Sequence, residues 1–141
     1  MVLETSRLRF LIVDDELHIR KIIKAVCAAM GVGDIIEAAD GRSALEWLTS
    51  GKIIRKLEGN NRRFDLVICD WMMPEMTGIE LLRSVRKNKS LTNIPFLMLT
   101  AENDRTKVLS AIEEGVSDYV VKPFTADVLE QKIMKIFKQA S

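Results

Sequence analysis

Five side chains stand where chemistry could be done: the carboxylates of Asp14, Asp15 and Asp70, the hydroxyl of Thr100 and the ammonium of Lys122. They sit at the carboxyl ends of short apolar runs, the place where ligands bind if such runs form an open parallel sheet. Three crowded carboxylates repel one another unless a cation neutralises them, and hard oxygen ligands suit Mg²⁺ or Mn²⁺. A lysine beside them offsets more negative charge, and a threonine hydroxyl can donate to a phosphoryl oxygen. The set meets the needs of phosphoryl transfer to a carboxylate: a nucleophile, a metal, and donors for the equatorial oxygens.

Taken singly, each feature has a plainer structural reading. An acidic pair before a helix complements its N-terminus. An Asp before Trp71 suits a turn, a Thr after a strand is usually a cap or turn residue, and a single Lys is usually solvated. Only the combination is specific.

The elements that must hold these residues show in the apolar pattern. Runs at 8–13, 34–38, 64–69, 94–99 and 117–121 are short and rich in β-branched residues. Several are nearly continuous, as strands covered on both faces are. The second, ending near Glu37-Ala38, offers no chemistry, as befits an edge strand beside the first. Between the runs, apolar residues recur at helical spacing. Ile19, Ile22, Ile23, Val26 and Met30 form one stripe, closed by Gly31 as a cap. Ile79, Leu82 and Val85 follow Gly78; Val108, Leu109 and Ile112 precede Gly115; Leu129, Ile133, Ile136 and Phe137 form the last. All four stripes are expected to face the core.

This alternation predicts right-handed crossovers and an α/β fold, a doubly wound parallel five-stranded sheet with helices on both faces. Pro95 falls near a strand start, where a missing N–H is tolerated. The segment 44–63 is the least regular. Ala44, Leu45 and Leu48 look helical, Gly51 interrupts, and Ile53, Ile54 and Leu57 resume before Glu58-Gly59-Asn60-Asn61. A long or broken second helix and a polar loop are expected there. Lys52, Arg55, Lys56, Arg62 and Arg63 make the 52–63 stretch basic, which reads as a solvated face rather than a docking site.

With 141 residues, 48% hydrophobic and 29% charged, the chain reads as a single domain over 1–141, without repeat or linker. A net charge of +1 gives no general affinity for nucleic acid or anionic lipid. No apolar stretch reaches the length of a membrane span, and residues 1–9 carry no cleavage-like site. Cys27 and Cys69 lie in apolar runs without metal-ligand spacing and read as buried free thiols. The cytoplasm is the expected compartment. The lone His18, just inside the first helix, is expected at the surface rather than as a phosphohistidine.

Four segments follow one another in order over nearly the whole chain. They are Val13-Asp14-Asp15-Glu16, Asp70-Trp71-Met72-Met73-Pro74-Glu75-Met76-Thr77-Gly78, Leu99-Thr100-Ala101 and Tyr119-Val120-Val121-Lys122-Pro123-Phe124. This pattern resembles the receiver domains of two-component response regulators, most nearly the single-domain chemotaxis regulators. The resemblance implies a flavodoxin-like sheet of strand order 2-1-3-4-5, known for such regulators, with five helices.

It also implies roles. Asp70 would be the phosphoacceptor, attacking the phosphorus of a kinase phosphohistidine or of a small phosphodonor. Asp15 and Asp70 would bind the metal directly, Asp14 through water, and Met72 through its backbone carbonyl. Thr100 and Lys122 would contact the phosphoryl group with the Ala101 amide. Small Ala101 would leave room for Thr100 to move inward. Tyr119 would then change rotamer, coupling the site to the face formed by the fourth helix, fifth strand and fifth helix. The Lys122–Pro123 bond resembles the family's cis peptide.

The implied partners are a sensor histidine kinase and a downstream protein target: a flagellar motor switch, a phosphotransfer protein or a kinase adaptor. No nucleic-acid or membrane partner is implied, and a monomer is the default. No output domain is expected, so output would be direct protein contact. The protein would be no enzyme beyond assisting its own phosphorylation and dephosphorylation.

Two departures bear on this reading. The basic insertion at 52–63 has no counterpart in the most compact family members. Met72 stands where a polar residue is common, and it is expected with Glu102 to flank the phosphoryl group and control water access. Two other readings stay open: a phosphorylation-independent interaction module of receiver shape, and a metal-dependent phosphatase with an aspartyl nucleophile. The commonest motif of the latter needs two aspartates one residue apart after the first strand, whereas Asp14 and Asp15 are adjacent.

Overall fold

A strand covered on both faces can be apolar at every position, and β1 (Arg9–Val13) and β3 (Leu66–Asp70) are buried throughout. β4 (Phe96–Ala101) is buried up to its last residue. β2 (Asp34–Ala38) and β5 (Asp118–Lys122) are mostly half-buried, as edges are. All neighbouring strands pair in parallel, in the order β2-β1-β3-β4-β5. The structure, a computed structural model, describes residues 4–50, 64–101 and 105–140. Among these, no helix is long and apolar enough to cross a membrane.

Among the described residues five α-helices cover the sheet: α1 (Leu17–Ala29), α2 (Gly41–Thr49), α3 (Gly78–Lys87), α4 (Arg105–Glu113) and α5 (Ala126–Ala140). Successive strand residues point to opposite faces, so each strand feeds two cores. Phe10, Ile12, Leu66 and Ile68 meet α1 and α5 through Ile23, Cys27, Leu129 and Ile133. Leu11, Val13, Val67 and Cys69 belong to the other core, with Ala44 and Leu48 of α2, Leu81 and Leu82 of α3, and Ala111 of α4. Fold and strand order are those the residues and their resemblance imply, and so is the helix count among the described residues.

The helix ends follow local chemistry. Asp40 caps α2 by accepting the Ser43 N–H at 2.7 Å. Thr77 and Glu80 form a reciprocal capping box on α3. Gly31, with φ of 83°, ends α1 in the left-handed region. Arg86 at the end of α3 donates to the carbonyls of Thr92, Ile94 and Gly115 at 3.0, 2.7 and 2.9 Å, which ties the turns on either side of β4.

Three expectations are corrected. β3, β4 and β5 begin one or two residues later than their apolar runs, so Asp70, Thr100 and Lys122 belong to the strands themselves. The second helix is not among these corrections: α2 ends at Thr49, just before Gly51, and the rest of the irregular segment, with its basic stretch 52–63, lies outside the described residues. The α4 stripe does not face the core: Leu109 and Ile112 are 59% and 55% exposed, while Ala111 is buried. At about 100° per residue, Leu109 and Ala111 lie on nearly opposite sides of the helix, so only one of them can be covered. Ile22 of α1 is exposed for the same reason, because Ile23 and Cys27 define the buried line.

Both cysteines are free and buried. Burial pushes the Cys27 thiol up to about 12, while the unfolded chain's thiol ionises near 9. Between those values the unfolded state binds fewer protons, so stability should fall as pH rises above about 9. At pH 8 the folded chain should resist thiol labelling and the denatured chain should take two labels. Comparable labelling of the native protein would contradict this packing.

Candidate metal centre

Parallel register brings the candidate residues together at one end of the sheet. Val13 pairs with Cys69, so Asp14 emerges beside Asp70. Asp70 pairs with Leu99, which sets Thr100 one step further along β4. Thr100 pairs with Val121 and Ala101 with Lys122, completing the row. Carboxylate oxygens of Asp14, Asp15 and Asp70 all lie within 4.8 Å of one another. Asp14 and Asp70 are buried and Asp15 is exposed at the rim.

Lys122 closes the group from β5. Its Nζ is 3.2 Å from Asp14 Oδ2 and 3.2 Å from Asp70 Oδ1. Asp14 Oδ1 accepts the Glu16 N–H at 2.9 Å. Burial by itself would lower the Lys122 ammonium, but Asp70 and Asp14 hold it above its ordinary value. Burial, reinforced by Asp14, raises the Asp70 carboxyl against the opposing pull of Lys122.

Residues outside the cluster fix the positions of those within it. Arg20 of α1 donates to the Asp14 carbonyl at 2.7 Å and to Glu37 at 3.1 Å, which anchors the end of β1 to β2. The Trp71 N–H donates to Leu99 O, and the Gly78 N–H to Trp71 O, each at 2.9 Å. A Cβ on Gly78 would collide with the Asp70 carbonyl and lie 3.0 Å from Trp71 Cα, so only glycine lets α3 start this close behind Asp70. A Cβ on Gly41 would lie 2.9 Å from Met76 Cβ, so α2 seats the β3–α3 connection equally tightly. Sequence reasoning passed over these supports. The Thr-x-x-Glu spacing of Thr77 and Glu80 was a visible signal for the α3 start; nothing local marked Arg20.

A divalent cation fits the residues present. Three carboxylates less one ammonium leave two negative charges. The ligand atoms are hard oxygens, as Mg²⁺ or Mn²⁺ requires. Thr100 is 2% exposed and its Oγ1 has no hydrogen-bond partner among the described residues, which leaves a buried donor able to meet an oxygen-rich ligand. Met72, in the connection beyond Asp70, is 58% exposed, with its Sδ 3.7 Å from Lys107 Nζ. Tyr119 is half-buried on β5, paired in register with Met98 rather than with a site residue. Ala101, the last residue of β4, is exposed. The Lys122–Pro123 peptide is cis and His18 is exposed at the start of α1. Glu102 lies outside the described residues.

Residues 10–134 match the sequence profile of the response regulator receiver domain. The chain is 45% identical over 134 residues to the chemotaxis protein CheY of Pseudomonas aeruginosa, covering 95% of this chain and 99% of that protein. It is 40% identical over 134 residues to chemotaxis protein CheY-3 of Vibrio cholerae, covering 95% of each. Among solved structures, the Vibrio cholerae chemotaxis response regulator CheY4 superposes with a TM-score of 0.75 at 31% identity, covering 92% of this chain and 98% of that one. The receiver domain of Francisella response regulator 1452 gives a TM-score of 0.78 at 28% identity, covering 96% and 100%.

Because the folded state disfavours a charged carboxylate at position 70, removing that charge should help folding. In metal-free buffer Asp70→Asn should stabilise by on the order of 1 kcal/mol, roughly 3–5 °C in Tm. Saturating Mg²⁺ should shrink or reverse the gain, because it stabilises the wild type more. Thermal unfolding of both proteins with and without Mg²⁺ checks this; a variant less stable than wild type in chelator would contradict it.

Proposed function

The chain belongs to the response regulator receiver domain family, and we propose that it is a phosphorylation-dependent switch whose phosphoacceptor is Asp70. The observation that carries this reading is the juxtaposition of Asp70 with Asp14, Asp15 and Lys122 at the sheet end, beside a Thr100 hydroxyl that has no partner among the described residues. An Asp70 carboxylate oxygen attacks the phosphorus of a phosphohistidine on a sensor histidine kinase. The phosphorus–nitrogen bond breaks and its electron pair leaves with the imidazole. Mg²⁺, or Mn²⁺ in its place, held by Asp15, Asp70 and the Met72 carbonyl and by Asp14 through water, would supply charge neutralisation for the transferring group. Thr100 and the Ala101 amide donate to phosphoryl oxygens, and Lys122 pairs with the charge they leave uncovered.

The second half of the proposal is the output. Thr100, drawn toward the phosphoryl group, leaves space behind it, and Tyr119 changes rotamer to follow. The response reaches the face made by α4, β5 and α5. A groove lined by Arg105, Val108, Leu109, Tyr119 and Val121 supports that face as the contact surface. Its rim carries the exposed Leu109, and Ile112 is exposed on the same helix. Output by direct protein contact from a monomer completes this reading; the relatives named above are matched over 95–99% of their own length. Their names support a place in chemotaxis; a flagellar motor switch, a phosphotransfer protein or a kinase adaptor would each use the same face.

The deciding experiment is intact-protein mass after incubation with acetyl phosphate and Mg²⁺. Wild type should gain one phosphoryl group and Asp70→Asn none, and chelation should abolish the gain. Multiple turnover on a phosphate ester would favour a phosphatase instead, and unchanged signalling by Asp70→Asn would favour a phosphorylation-independent module. The exposed thioether of Met72 cannot orient a water for attack on the acyl phosphate. Met72→Asn should therefore speed dephosphorylation by roughly fivefold, the rate equivalent of one hydrogen bond worth about 1 kcal/mol. Equal decay of the two adducts would dismiss that role for Met72.

A further inference from the structure

β5 is an edge strand, and its consecutive residues Asp118 and Tyr119 project to opposite faces of the sheet. Lys132, midway along α5, reaches round that edge and touches both. Its Nζ lies 3.1 Å from Asp118 Oδ1 and 5.2 Å from the centroid of the Tyr119 ring. Asp118 is itself held in place: Oδ1 accepts the Tyr119 backbone N–H at 2.8 Å, and Lys135 Nζ lies 3.9 Å from Oδ2. Its side chain is only 13% exposed, so the anchor is partly shielded from water. The Tyr119 ring packs against the core that α2, α3 and α4 cover, and it borders the groove between α4 and β5.

We propose that Lys132 is a positioning residue for Tyr119, anchored by Asp118 so that its ammonium holds the ring where it now lies. It thereby sets how readily the ring leaves when Asp70 is phosphorylated. The inference rests on the reading of Asp70 and Tyr119 given above, and adds to it the group that opposes the switch. A cation over an exposed aromatic face contributes about 0.5–1 kcal/mol, which corresponds to a change of about two- to fivefold in the ratio of two ring positions. Such coupling is reciprocal. An acidic partner group that drew the ammonium out of the clamp would release the ring, just as ring release would free the ammonium for that partner.

The chain holds one tyrosine, so a ring-¹³C tyrosine label gives a single NMR signal that belongs to Tyr119. Wild type, Lys132→Met and Lys132→Arg are compared before and after acetyl phosphate with Mg²⁺, with the Asp70 adduct followed by mass in the same samples. Before phosphorylation, Lys132→Met should lie displaced toward the phosphorylated wild-type position by the two- to fivefold ratio above. Lys132→Arg, which keeps a cation against both Asp118 and the ring, should stay with wild type. Coincident signals for wild type and Lys132→Met in both states, with adducts on all three proteins, would reduce Lys132 to a simple tie between α5 and β5 and leave the phosphoacceptor reading intact. Absence of an adduct on wild type would instead remove that reading, and the proposed coupling with it.

Discussion

Three carboxylates gathered at one end of a parallel sheet, with the ammonium of Lys122 between two of them, is the constraint on which the rest of the molecule depends. Like charges about 4 Å apart oppose each other by about 4 kcal/mol at the effective dielectric of a protein surface. A fold that brings them together must hold them there. Lys122 relieves part of the repulsion by standing 3.2 Å from both buried carboxylates. What remains is a site with an excess of negative charge, hard oxygen ligands and a hydroxyl without a hydrogen-bond partner among the described residues, a chemistry suited to a divalent cation and in keeping with the proposed phosphoryl transfer.

The scaffold answers that demand with rigid elements. Each acidic residue leaves the end of a strand that is buried on both faces, so backbone ladders on either side fix its position. Arg20 ties the Asp14 backbone to Glu37, and Gly78 lets the first turn of α3 stand directly behind Asp70. The capping box at Thr77 and Glu80 secures that turn. Charge crowding is tolerated because the backbone beneath it has no room to relax.

On β5, by contrast, the sheet has an open edge and a less completely packed neighbour in α4. Of the described α4 residues only Ala111 is buried, and two large aliphatic side chains stay in solvent beside a groove. Tyr119 sits between these two regimes, half-buried under α4 and in reach of a lysine from α5. One strand therefore carries both Lys122 at the crowded site and Tyr119 at the groove, so a change at one has a short mechanical route to the other. Short element ends and edge strands are where such freedom is available at small cost.

Much of this was legible in the order of residues. A doubly buried strand writes itself as a continuous β-branched run, and a helix as a stripe of period 3.6, so the alternating elements and the polar residues at the strand ends could be read directly. The site residues were legible because the acidic pair, Asp70, Thr100 and Lys122 each adjoin such a run; parallel pairing then has little choice but to bring them together. Other features depend on which elements become neighbours. That Asp14 is buried while Asp15 faces solvent, that Thr100 lacks a partner among the described residues, and that Arg20 and Gly78 support the cluster follow from contacts between segments far apart in the chain. The stripe of α4 was misread because periodicity shows which residues share a side, not how wide an arc the rest of the protein covers. The reach of Lys132 across the edge to Asp118 and Tyr119 was likewise invisible, since a long flexible side chain finds its partners only after the sheet has an edge to cross. Local pattern determined the elements and their chemistry; three-dimensional adjacency alone decided the distances, the exposures and the couplings, because those are properties of pairs that no single stretch of sequence contains.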